Sequence, residues 1–326
     1  MPMLLLRLDM RRPDFAPVPR EQMYAAALDM ASWADEHGFL SAVLSEHHGV
    51  DDGYLPSPLI LGAAILGRTK QLMVNVSALL APLYHPLRLA EDIAVLDNIA
   101  PGRVALIAGL GYRDHEYAMF GVEKKRRGAV LDEALETLLT AWTGEEFEFR
   151  GTKVRITPTP VSQPHPMIFV GGSSEAGARR AGRFGLPFQP AYGDPALETA
   201  YTDELSKQGK QGFIVMPELI SYVHVADDVD AAWEQVGPHM LYDAQTYASW
   251  QNPGQQSAVK DDAQSVEELR KGGIYRVLTA DETIAFAEEL GPMGALILHP
   301  MVGGLDPSVG WQSLKLLEEK VLPHLT

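Results

Sequence analysis

The chain has 326 residues, with 27 Lys and Arg against 43 Asp and Glu, a formal charge of −16. That acidic balance speaks against a nucleic-acid or anionic-membrane surface, while 46% apolar residues supply a large core. Cysteine is absent, which excludes disulfides, thiolate metal sites and a thiol nucleophile.

At the start, Met1–Leu6 is interrupted by Arg7 and Asp9 before a signal-peptide core could form, and no apolar run reaches bilayer length. The expectation is a soluble cytoplasmic enzyme. Leu4–Leu8 reads as a strand, and Arg20–His37 as a helix with Met23, Ala27, Met30 and Ala34 on one stripe and Gly38 as its stop. A second strand, Leu40–Ser45, is followed by a helix over Pro56–Leu66, with prolines in its first turn. Leu72–Leu80 and Val104–Ala108 are the third and fourth strands, separated by a helix over Pro86–Ile99. After a helix from Val130 to Trp142, Glu146–Arg150 and Val154–Ile156 suggest a small β-hairpin around 146–157. Met167–Val170 is the fifth strand and Ser174–Phe184 its helix. Later strands are expected at Leu186–Gln189, at Phe213–Val215 with an extension toward Val223, and at Ala295–Leu298. Later helices are expected at Pro195–Gln208, Val229–Tyr242, Glu282–Leu290 and Pro307–Leu322. A loop insertion is expected around 244–272, centred on Tyr247–Asp262 with Asn252-Pro253-Gly254-Gln255-Gln256. The alternation predicts an α/β fold, a (β/α)8 TIM barrel formed by one domain over residues 1–326, with eight strand-and-helix units.

Chemistry-bearing residues gather where strands end. Ser45-Glu46-His47-His48 follows the second strand and precedes the turn-rich Gly49–Gly53. In parallel α/β folds, function collects at carboxyl ends of strands. Alternation puts Ser45 and His47 on one face and Glu46 and His48 on the other, without saying which face is inward. Gly171-Gly172-Ser173-Ser174 leads from a strand into a helix. Glycines allow close backbone approach, and exposed amides with two hydroxyls suit a phosphate; the same residues also suit ordinary capping by Ser174. Gly109-Leu110-Gly111-Tyr112-Arg113 closes the fourth strand. There the glycines allow close approach, Tyr112 can hydrogen-bond, and Arg113 can either neutralise phosphate or pair with Glu116. Asp9, Met10 and His299 are candidate walls of a substrate pocket at the barrel mouth. His85, Met73 and the tryptophans read as structural.

Glu46-His47-His48, Asn75–Pro82, His85-Pro86, Ala90-Glu91-Asp92, Leu96-Asp97 and Pro101-Gly102-Arg103, in that order and spacing, resemble the bacterial-luciferase-like family of flavin-dependent oxidoreductases. The match runs from about Ala25 to Trp142, with a weaker echo to the C-terminus. The resemblance selects His47 as the residue near the flavin that assists proton handling, a task suited to an imidazole titrating near neutral pH. Glu46 is expected to orient a neighbour rather than act as an acid. The resemblance further implies a non-proline cis peptide and bulge at Ser77-Ala78 beside the flavin ring. It implies cofactor contacts from Gly109, Gly111 and Tyr112, and the flavin phosphate on Gly171, Gly172, Ser173 and Ser174.

The family divides between FMN monooxygenases and enzymes using an 8-hydroxy-5-deazaflavin. Sugar-phosphate dehydrogenases of the second branch show Asp-His in place of Glu-His-His, and a glutamate where this chain has Tyr112. Both departures favour FMN. The expected activity is therefore a monooxygenase that uses reduced FMN and O2, with paired donors, to oxidise a small organic substrate, with reduced flavin supplied by a separate reductase and the chain paired as a homodimer. Three alternatives stay open. One is a deazaflavin-dependent dehydrogenase; another is a metal-dependent barrel hydrolase, for which the first strand lacks the usual His-x-His. The third is a non-catalytic flavin-binding subunit.

Overall fold

The computed structural model describes residues 1–217, 220–251, 257 and 259–325. The first half follows a strict strand-helix alternation. It comprises β1 (Met3–Leu8), α1 (Arg20–Glu36), β2 (Ser41–Leu44), α2 (Pro58–Arg68), β3 (Met73–Leu79), α3 (Pro86–Ile99) and β4 (Val104–Ala108). Each strand pairs in parallel with its predecessor. The period of two decides the layers: Leu4, Leu6 and Leu8 of β1 join the core with Met23, Ala27 and Met30 of α1, while Leu5 and Arg7 turn to the opposite face and line a central cavity.

The short helix α4 (Asp114–Met119) and the longer α5 (Arg127–Ala141) come next, then the outlying antiparallel hairpin β5 (Phe147–Phe149) and β6 (Thr152–Val154). The main sheet resumes with β7 (Met167–Gly172), α6 (Glu175–Phe184), β8 (Phe188–Pro190), α7 (Pro195–Gln208), β9 (Tyr222–Val225) and α8 (Val229–Trp250). The described chain closes with α9 (Val266–Gly272), β10 (Tyr275–Leu278), α10 (Ala280–Leu290), β11 (Ala295–Leu298) and α11 (Pro307–Leu316). The sheet has nine parallel strands in the order β10-β9-β11-β1-β2-β3-β4-β7-β8. Side chains from six of these strands, with the glycines of β7 and the glycine after β4, face one cavity, so the sheet wraps around it. The outer edges β8 and β10 are not paired with each other among the described residues; Ile214 bridges Phe188 there.

Three expectations need correction. The sheet has a ninth strand, β10, because Tyr275-Arg276-Val277-Leu278 is too short for its periodicity to declare itself. Phe213–Val215 does not run on to Val223 as a strand: it contributes one bridge, and β9 begins separately at Tyr222. The insertion expected around 244–272 is partly helical. α8 passes beyond Tyr242 to Trp250 because Trp233, Val236, Met240, Ala244 and Tyr247 continue one buried stripe, and α9 occupies Val266–Gly272. Asn252–Gln256 lie outside the described residues. Among the described residues no helix is long and apolar enough to cross a membrane.

Candidate functional site

The cavity has a volume of about 770 Å³ and opens at the carboxyl ends of the strands. That is within the usual range for a site taking a cofactor and a small substrate. β2 stops at Leu44, so the triplet after it leaves strict alternation. Ser45 and His47 line the cavity; the Ser45 hydroxyl donates to the Ser77 carbonyl at 2.6 Å and ties β2 to β3. Glu46 also borders the cavity, but both its oxygens are taken. Oε1 accepts from Tyr84 Oη at 2.7 Å and lies 2.8 Å from His48 Nε2, and Oε2 accepts from the Leu80 amide at 2.7 Å. It therefore anchors the end of β3. His48 turns away from the cavity, its ring packed edge-on against Phe120.

His47 is oriented by a residue of α4. Its Nδ1 lies 2.8 Å from Glu116 Oε1, and the same oxygen accepts from the His48 amide at 3.0 Å and Arg113 Nη1 at 3.1 Å. Burial lowers the His47 pKa, and the opposing pull of Glu116 does not reverse this. Burial raises the Glu116 carboxyl, but the His47 bond, the His48 amide and the Arg113 charge outweigh it and leave its pKa lowered. A carboxylate only accepts, so the proton of the neutral imidazole sits on Nδ1 and Nε2 carries the free lone pair. Nε2 lies 3.5 Å from the Tyr112 hydroxyl, whose pKa burial pushes up. Tyr54 and Trp250 flank the ring at centroid distances of 4.9 and 4.7 Å.

The opposite wall comes from β3, β4 and β7. The Ser77–Ala78 bond is cis, and the register with β4 shifts between Ser77 and Leu79, the irregularity that the family resemblance implied. Gly109 permits this path: a Cβ there would meet the Ala78 Cβ at 2.8 Å. Gly111 has φ +70°, a left-handed turn that presents Tyr112. Gly171 lies so close to Ile107 that a Cβ would come within 2.8 Å of it. Gly172, Ser173 and Ser174 follow into α6, and Ser174 caps that helix by accepting from the Gly177 amide at 3.3 Å. Lys124 and Arg127 border the same cavity. The Lys124 ammonium is held by the Tyr112 carbonyl and Asp114, both at 2.7 Å; the glycine backbone, the hydroxyls and the helix N-terminus, with Arg127 at the rim, form a donor set that fits a phosphate.

Several residues lie elsewhere than expected. Arg113 is no phosphate ligand: it donates to the His48 carbonyl at 2.8 Å, pairs with Glu116 and lies 4.5 Å from the Trp250 ring centroid. Asp9, Met10 and His299 do not line the cavity. Asp9 and His299, with Asp243, are the one group among the described residues arranged as a metal could use them. Arg11 already brings positive charge there, its Nε 2.8 Å from Asp243. Glu116, Arg7, Lys124, Arg127, Tyr247 and Trp250 were not singled out for these places. For Arg7 a signal existed, a cation at an alternate position of an otherwise apolar strand.

The sequence model of the luciferase-like monooxygenase family matches residues 9–286. Among curated proteins, an F420-dependent glucose-6-phosphate dehydrogenase of Nakamurella multipartita is 34% identical over 190 residues, covering 54% of this chain and 54% of the relative. The chain spans about half the length of the first curated relatives it matches. Among solved structures, a monooxygenase, RslO1, from Streptomyces bottropensis superposes with a TM-score of 0.77 at 23% identity, covering 99% of this chain and 100% of the other. The oxygenating constituent of 3,6-diketocamphane monooxygenase from Pseudomonas putida, in complex with FMN, gives a TM-score of 0.71 at 23% identity over 100% and 99% of the two chains. At these identities the structural likeness concerns the fold.

Proposed function

The chain belongs to the luciferase-like monooxygenase family, and from that premise we propose that it is a flavin-dependent oxidoreductase that uses reduced FMN and O2 to oxidise a small organic substrate. The observation that carries this reading is the polarity of the cavity. A phosphate-type donor set at Gly171–Ser174 with Arg127 borders it on the β7 strand, and a neutral, carboxylate-oriented imidazole borders it after β2. Gly109, Gly111 and the Ser77-Ala78 segment would face the ring and its side chain. When bound, the reduced cofactor supplies the electrons and the reactivity toward oxygen.

The protein's own part is positioning and proton handling. His47 Nε2 is the free base at the cavity, able to take a proton and return it, while Glu116 holds the ring and stabilises it if it becomes charged. Glu46 fixes the loop on which His47 stands. Tyr54, Tyr112 and Trp250 pack around the imidazole and limit its access to water. Delivery of reduced flavin by a separate reductase belongs to the same proposal; the name of a 27% identical relative from Acinetobacter baylyi, the oxygenase component of a flavin-dependent trigonelline monooxygenase, supports it. So does a homodimer, for which exposed Ile60 on α2 and Val95 and Ile99 on α3 provide apolar surface. Light scattering at working concentration tests the pairing.

The 34% match to an F420-dependent enzyme favours a second reading, a deazaflavin-dependent dehydrogenase on the same site. Titration with FMN and with the deazaflavin, each oxidised and reduced, separates the two. Tighter binding of reduced FMN supports the first; preference for the deazaflavin replaces it. His47→Asn is expected to bind FMN normally and to lose roughly a hundred- to ten-thousandfold in turnover. Full turnover in that variant would remove His47 from the mechanism.

A further inference from the structure

Arg7 is a buried cation that the proton-handling scheme leaves unused. It stands on β1, 8% exposed, and lines the cavity. Its hydrogen bonds all go to neutral hydroxyls: Nη1 donates to Ser45 Oγ at 3.2 Å, and Nη2 to Tyr54 Oη at 3.3 Å and Tyr247 Oη at 2.8 Å. Nε has no partner, and no carboxylate pairs with the group among the described residues. Buried charges are ordinarily paired, because leaving water without a counter-charge is costly. The carboxylates Asp9, Asp52 and Asp243 pair with Arg11, at 3.7, 2.6 and 2.8 Å, and Asp9 and Asp243 act on Arg7 only through space, from beyond contact distance.

The place of this unpaired charge is informative. Three strands separate β1 from β7, which carries the phosphate-type donors, and those donors share the cavity with a cation of their own, Arg127. Arg7 belongs to the His47 side: it shares Ser45 with the His47 loop, and Tyr54, which accepts from it, packs edge-on against the imidazole. A negative group held here would sit beside the proton-handling residue, away from the cofactor phosphate. The Tyr222 ring, 5.2 Å from the guanidinium carbon, and the Tyr247 ring would flank the body of the ligand.

We propose that Arg7 is the receptor for a carboxylate on the substrate, so that the enzyme acts on organic acids rather than on neutral molecules of the same shape. The proposal deepens the flavin reading by naming the substrate class of that site, but the anion site itself does not require the flavin. A guanidinium suits a carboxylate through its planar set of donors, and the hydroxyls of Ser45, Tyr54 and Tyr247 can turn to add further donors.

The test uses the full chain, with and without FMN, titrated by calorimetry and tryptophan fluorescence. Benzoate and acetate are the probes, each compared with its neutral amide, benzamide or acetamide. At least one acid should bind about tenfold or more tighter than its amide, because the amide leaves the cation unpaired. Arg7→Met should erase that preference while FMN affinity stays within about twofold, and Arg7→Lys, which keeps the charge, should retain part of it. Unchanged melting of both variants separates lost recognition from lost folding. Equal binding of acids and amides, or absence of saturable binding by either acid, overturns the proposal. So does Arg7→Met weakening FMN as strongly as benzoate, since the arginine would then serve the cofactor. If FMN fails to bind while benzoate still binds through Arg7, the flavin reading falls and the acid site stands.

Discussion

Arg7 and Arg11 leave one segment of chain four residues apart, share the same two tyrosines, and end in opposite electrostatic surroundings. Arg7 bonds the hydroxyls of Tyr54 and Tyr247; Arg11 lies over the faces of the same two rings, at 4.7 and 4.9 Å. Around Arg11 three carboxylates converge, and Tyr242 and Tyr275 donate to two of them, Asp52 at 3.0 Å and Asp243 at 2.7 Å. Its charge is more than offset inside the protein, and the cluster is shut off from the cavity. Around Arg7 the contacts are neutral hydroxyls, Asp9 and Asp243 act only from beyond contact distance, and one side is open to the cavity. A closed network of opposite charges specifies how chain segments meet, whereas an open cation with neutral partners keeps its attraction for something that arrives from outside.

The contrast breaks first at Arg11. Arg11→Met leaves Asp9, Asp52 and Asp243 buried without their cation, and removing one partner from such a network costs about 3–5 kcal/mol. Urea denaturation should show this as a large fall in midpoint, or as a chain that no longer folds. A loss no larger than that of a surface substitution would mean that the cluster is solvated and not closed.

Acid separates the two regions more gently. Burial raises the Asp9 carboxyl, but His299 and Arg11 outweigh it and hold its pKa at about 2, against an ordinary 3.8. A lowered carboxyl pKa contributes stability above pH 3.8 that is lost as pH falls toward 2, here about 2 kcal/mol. His47 has the opposite character. Its pKa lies below 6.5 because burial disfavours the charged imidazole, so it costs nothing above that pH. Below pH 6.5 the unfolded chain takes up a proton that the folded one resists, and stability declines. Stability measured against pH should therefore fall in two windows, and Asp9→Asn should flatten only the lower one. If Asp9→Asn flattened the upper window instead, the assignment of charges to the two regions would be wrong.

The same contrast decides what could be read in advance. The first four strands and the glycine-rich turns were legible because each is a run of apolar residues with a turn after it, a pattern local in sequence. β4, α3 and β11 have the predicted bounds. His47 was legible as a residue at a strand end, and the Ser77–Ala78 irregularity through resemblance. The partners were not. Glu116 reaches His47 across 69 residues from a six-residue helix, and Tyr247 reaches Arg7 across 240 from a helix whose end was placed too early. Long-range pairing leaves no periodic mark. Asp9 and His299 show the converse: both stand at strand ends, but nothing local in the sequence tells that Arg11 would draw in Asp9 and that Asp9 would hold His299.

The smallest expected effect on stability is also the sharpest probe of the comparison. Arg7→Met removes a cation whose partners do not depend on it. Tyr54 and Tyr247 hydroxyls lie 2.5 Å apart and keep each other, and Ser45 keeps the Ser77 carbonyl at 2.6 Å. No hydroxyl is orphaned; the desolvation cost of the guanidinium disappears, its longer-range attraction to Asp9 and Asp243 goes with it, and methionine fills most of the stem's volume. The two contributions oppose each other, so stability should change by no more than about 1 kcal/mol in either direction. Urea midpoints with unchanged slopes measure this directly. A loss comparable to that of Arg11→Met would show that Arg7 is held for the fold. A near-zero change, together with lost preference for acids over amides, would show that the protein keeps a buried charge for its ligand at no benefit to its own stability.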